Sequence, residues 1–125
     1  MDPRIIDVIK KIQSNLDQIE EIHSVANEYY FRYKGVAFSI MRAFNRDAKY
    51  GKYSFYVYPL SEGLTLNDIA QMSSLGNLTE PEMVSYNLGD FHNDPEVTKI
   101  FEQLYFSLER KHSNMDDVFR KILEE

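Results

Sequence analysis

The chain has 125 residues, of which 43% are hydrophobic and 27% charged, which fits one globular domain large enough to bury a core without metal or disulfide staples. Cysteine is absent, so disulfides and thiolate metal sites are excluded. A net charge of −6 and a pI near 5.1 argue against a dedicated duplex-DNA or RNA binder.

The chain starts Met1-Asp2-Pro3-Arg4-Ile5-Ile6, and Asp7 interrupts the apolar run at once, which no secretory signal tolerates. The longest stretch free of charged residues, Ile69 to Thr79, is too short and too polar to span a bilayer, which takes about 20 apolar residues. A cytoplasmic protein without a membrane segment is expected, and the lack of cysteine fits a reducing compartment.

Asp2 and Pro3 suit the start of a first helix, as cap and first helical residue. Ile5, Ile9, Ile12, Leu16 and Ile19 follow at 4-3-4-3 spacing, one stripe down a helix that ends near His23. That stripe packs on the chain's own core or, being so regular, forms a seam against a second copy.

Three strands are predicted next. Glu28 to Lys34 alternates, Gly35 marks a tight turn, Val36 to Ala43 alternates again, and a polar loop leads into Tyr53 to Tyr58. Neighbouring strands pair most readily, so an antiparallel meander is expected. One face carries Phe31, Val36, Phe38, Ile40, Tyr53, Phe55 and Val57 and reads as core. The other mixes Tyr30, Arg32, Lys34, Ala37, Ser39, Met41, Ser54, Tyr56 and Tyr58. That face is either open to a partner or covered by a helix of the same chain.

Thr65 and Asp68 have capping-box spacing ahead of Leu66, Ile69 and Ala70, and Gly76 stops this second helix. Met83 to Leu88 reads as a short fourth strand. Asp94-Pro95 opens a helix with Val97, Ile100, Phe101, Leu104, Tyr105 and Leu108 on its apolar side. Asn114 is expected to end it, with Met115, Val118, Phe119, Ile122 and Leu123 making a last short amphipathic helix. The whole is one α+β domain, residues 1–125, with an antiparallel three- to four-stranded sheet packed with an N-terminal helix and C-terminal helices.

The chemical signals are sparse. Asp90, His92, Asp94 and Glu96 alternate in a donor-rich stretch that a metal-dependent enzyme would use. Asp94-Pro95-Glu96 already serves as a helix start, however, and Asp90 and His92 read as a plain polar loop, so no metal ligand is assigned. No Ser–His–carboxylate motif and no Gly-rich phosphate loop is present, so neither catalysis nor a cofactor is expected. Charge is uneven: residues 28–52 hold six basic residues against two acids, and residues 76–125 hold eleven acids against five basic residues. Cations interleaved with tyrosines over 32–52 are the pattern of a single-stranded nucleic-acid binder, although the acidic remainder would repel a long polyanion.

Tyrosine offers large contact area at low entropic cost, which points the mixed sheet face toward another protein. The expected contact residues are Tyr30, Arg32, Lys34, Tyr56 and Tyr58, with Arg46 and Lys49 at the rim. The small size, acidic pI and helix–three-strand–helix–strand–helix order resemble the bacterial type III secretion chaperones. That resemblance implies homodimerisation and effector binding, and the extra C-terminal helix departs from it. Small acidic inhibitors of the immunity or antitoxin kind share the same features. The expected function is therefore a non-catalytic protein-binding module or small regulatory protein.

Overall fold

The structure is a computed structural model that describes residues 2–43, 51–78 and 82–124, the side chains of 115 and 116 excepted. Helix α1 (Ile5–Gln13) leads through a 3-10 turn at Leu16–Gln18 into strands β1 (Ile19–Val25), β2 (Glu28–Tyr33), β3 (Val36–Arg42) and β4 (Tyr53–Tyr58). Helix α2 (Leu66–Ser74), strand β5 (Val84–Asn87), a 3-10 turn at Leu88–Phe91 and helix α3 (Pro95–Leu123) complete the chain. The five strands form one antiparallel sheet in the order β1-β2-β3-β4-β5. The α+β class therefore holds, with one strand more than the three or four expected.

The extra strand comes from the second half of the expected first helix. Ser14 and Asn15 turn their side chains back onto the carbonyls of Lys10 and Lys11, at 3.0 and 2.8 Å, and so satisfy the helix end. Ile5, Ile9 and Ile12 keep the predicted stripe and are buried. Ile19, continuous with it by spacing, is buried instead on β1, and His23 lies mid-strand opposite Tyr30. The helix start also differs. Its first residue is Ile5, and the Asp2 carboxylate accepts from the Arg4 amide at 3.0 Å rather than capping from Pro3 onward.

The β2–β3 connection is a two-residue turn with Lys34 at φ 51° and Gly35 at φ 79°, the left-handed pair that matches strand twist. Its register opposes Phe31 to Phe38, and β3–β4 opposes Ile40 to Phe55. On this first face Phe31 stacks on Phe38 with centroids 5.5 Å apart, Phe55 lies tilted to both at 6.4 and 5.7 Å, and Phe101 of α3 meets Phe55 edge-on at 6.4 Å. α1 and α3 close this side, and Gln13 of α1 donates to Ser107 of α3 at 3.0 Å.

Helix α2 begins as expected: Thr65 accepts from the Asp68 amide at 3.0 Å and Asp68 accepts from the Thr65 amide at 3.1 Å. It lies across the opposite face of the sheet, where Leu66, Ile69 and Ala70 join Tyr30, Ala37 and Tyr58 in a second core. The molecule thus has three layers, two helices, a sheet and one helix. α3 starts at Asp94, whose carboxylate accepts from the Glu96 and Val97 amides at 2.8 and 3.3 Å. It runs unbroken past Asn114 to Leu123, because asparagine inside a helix costs under about 1 kcal/mol and does not stop one as proline does. No helix among the described residues is long and apolar enough to cross a membrane.

Candidate protein-binding surface

The tyrosine-rich sheet face is interior. Tyr30 and Tyr58 are each 2% exposed beneath α2, and Tyr56 is half-buried against the same cluster. The expectation that this set stands open to a partner is corrected accordingly. Both hydroxyls have internal partners: Tyr30 donates to Glu28 at 2.9 Å, and Ser39, which donates to the other Glu28 oxygen at 2.7 Å, shares a hydrogen bond with Tyr58 at 2.8 Å. The two rings stack at 6.2 Å. Desolvation raises all three tyrosines above the ordinary phenol range, and it raises Glu28 too, against the lowering effect of its Ser39 and Tyr30 hydrogen bonds. These residues are a satisfied polar network inside a core, not a contact surface.

Arg32 is likewise structural. Its guanidinium donates to the Leu64 carbonyl at 2.6 Å and the Gly35 carbonyl at 3.2 Å, with Glu21 at 3.7 Å, so it ties the approach to α2 onto the β2–β3 turn. Lys34 stands exposed in that turn, its ammonium 5.8 Å from the Tyr33 ring. Lys52 pairs with Glu102 at 3.5 Å, and the Arg42 guanidinium lies 5.8 Å from the Phe106 ring. These described cations of the 32–52 segment are spread over both faces and both ends of the sheet. Arg46 and Lys49 lie outside the described residues.

The Asp90–Asp94 stretch is a pair of caps. Asp90 accepts from the Asn87 amide at 2.9 Å, Asp94 caps α3, and His92 sits between them in a left-handed turn at φ 57°. Among the described residues no three histidine or carboxylate side chains gather as a metal would need.

Apart from scattered side chains such as Leu60 and Leu75, the large apolar residues exposed among the described residues cluster at the end of α3. Residues 97, 101, 104, 108, 111, 115, 118 and 122 follow 4-3 spacing along a single sector of a 29-residue helix. Within the body this sector is sealed: Phe101, Leu104 and Leu108 are fully buried. His112 packs against the body, its ring 5.9 Å from Tyr29. Beyond it large apolar side chains stand exposed, Val118 at 53%, Phe119 at 56%, Ile122 at 63% and Leu123 at 84%. A shallow groove between Lys111, Asn114, Val118 and Phe119 lies along it.

No known protein family, curated protein or solved structure matches this chain. Its element order, with four strands between α1 and α2, also departs from the three-strand order on which the secretion-chaperone likeness rests.

The apolar residues of this distal segment were all visible in the sequence, as the last amphipathic helix. What the sequence did not show is that they continue α3 beyond the sheet instead of folding back onto it. The signal was the spacing itself, which runs in phase from Val97 to Ile122 with a lysine as its one described polar member.

Proposed function

We propose that this chain is a protein-binding module that works through the distal half of α3. The observation that carries the reading is one helix sector, fully buried at Phe101, Leu104 and Leu108 and then more than half exposed at four large side chains. Isolated exposed apolar residues are ordinary, but a contiguous row on a solvent-projecting helix is the form of a helix-in-groove or helix–helix contact. Leaving it bare costs hydrophobic free energy that only an occupant recovers, about 1.5–3 kcal/mol for each large side chain fully buried. The rest of the domain acts as a mount, holding the helix by about its first five turns, Pro95 to His112.

The test is capture from the native host with the full chain and with Phe119→Asp as baits, compared at equal folded fraction. Proteins retained by the first and lost by the second are the expected result. Equal retention by both would show that the distal helix is not a binding surface. In either case Phe119→Asp leaves the monomer's unfolding free energy within about 0.5 kcal/mol of the parent's, because the site lies off the core.

A further inference from the structure

Resting on that reading, we infer that the occupant of the distal α3 surface is a second copy of this chain, packed antiparallel along the same helix segment. Charge distribution is the first argument. Residues 110–125 hold four of the 14 Lys and Arg and four of the 20 Asp and Glu, so this segment is neutral and the remainder carries the whole −6. Two bodies of like charge repel, and the distal helix is where two copies approach without that repulsion. The helix beyond His112 is eleven residues, 113–123, roughly 17 Å long. Antiparallel pairing therefore sets the acidic bodies at opposite ends of the contact, farther apart than the ~8 Å Debye length, whereas parallel pairing sets them side by side.

The order of charges along the helix points the same way. Arg110 and Lys111 mark the end next to the body, Asp117 and Arg120 pair with each other at 4.0 Å, and Glu124 caps the far end after Arg120 and Lys121 of the last turn. Antiparallel alignment brings Arg110 and Lys111 of each copy toward Glu124 of the other, and favours opposed helix dipoles. Parallel alignment brings like to like. A twofold pairing also covers both copies' Val118, Phe119, Ile122 and Leu123 at once and closes, whereas a head-to-tail contact would leave one stripe free at every step.

The contact is at the small end of stable interfaces, so its Kd lies on the order of micromolar, and sedimentation equilibrium is run from about 1 to 100 μM. The purified chain is expected to sediment at twice its 14.7 kDa mass at the upper concentrations. Phe119→Asp with Ile122→Asp is expected to raise Kd by at least ~100-fold, since each side chain is lost from both halves of the contact. Rising salt is expected to weaken the charged ends while leaving the apolar contact. A parent chain that stays monomeric throughout overturns the inference, and a parent dimer that the double variant leaves intact places the dimer elsewhere and overturns it as well. Orientation is read separately. In a chain with no native cysteine, Leu123→Cys forms an intermolecular disulfide under oxidation if the helices run parallel, and stays reduced in the antiparallel pair. A monomeric chain that still captures host proteins through Phe119 would remove the second copy and keep the binding surface, so the two claims fail separately.

Discussion

Ile69→Ala decides whether the second face of the sheet is truly interior. Ile69 is 1% exposed on α2 and belongs to the cluster of Tyr30, Ala37, Tyr58, Leu66 and Ala70. The substitution removes three carbons, worth about 2.4 kcal/mol at ~0.8 kcal/mol each. If the neighbours do not collapse, the vacated space of roughly 75 Å³ adds about 1.8 kcal/mol at ~24 cal/mol per Å³. The expected loss is therefore about 2.5–4 kcal/mol, a large part of the ~5–15 kcal/mol that holds a domain together. Urea unfolding followed by tyrosine emission, clean in a chain with nine tyrosines and no tryptophan, should show a midpoint lower by roughly 1–3 M. Leu75→Ala, at the end of the same helix and 73% exposed, is the control and should stay within about 0.5 kcal/mol. If the two variants unfold together, α2 does not seal the face and the three-layer arrangement is wrong.

Two further outcomes follow from particular contacts. Gly51 sits at φ 82°, and a Cβ there would lie 2.5 Å from Asn93 Oδ1 and 2.6 Å from the Leu88 Cβ, the latter anchored to backbone; Gly51→Ala should cost about 2–4 kcal/mol. Gly35, at φ 79° with open space around it, should lose only about 1 kcal/mol as Gly35→Ala, and equal thermal shifts for the two would contradict the crowding at Gly51. Burial raises the folded-state pKa of Glu28, so the folded chain holds that proton more tightly than the unfolded one. Its contribution to stability is then full below the ordinary carboxylate range and is lost as pH rises through the raised value. Glu28→Gln should flatten that limb of the stability–pH profile and be at least as stable near neutrality, since Gln can accept from Tyr30 and donate to Ser39; an unchanged profile in the variant would assign the limb to another group.

Strand alternation was legible residue by residue: it placed Phe31, Phe38, Ile40, Tyr53 and Phe55 together on one face, and the register confirms it. The caps at Thr65 and Asp94 and the turn at Gly35 were legible for the same reason, since each is a hydrogen bond or dihedral set within four residues. Ile19 and Asn114 were misread because periodicity and local preference are weak there. Ile19 satisfies both a helical stripe and a strand, and pairing with Tyr33 across the sheet decides between them.

By itself, the sequence determined which side chains face the same way, because a strand or a helix repeats at a period that neighbouring residues enforce. Only the tertiary structure decided which of those faces meets another. Whether α2 lies over Tyr30 and Tyr58, and whether α3 stops at the sheet's end or runs beyond it, depends on contacts between segments tens of residues apart. Such contacts leave no periodic trace in either segment, since a tyrosine row that will be buried and one that will stay open alternate identically.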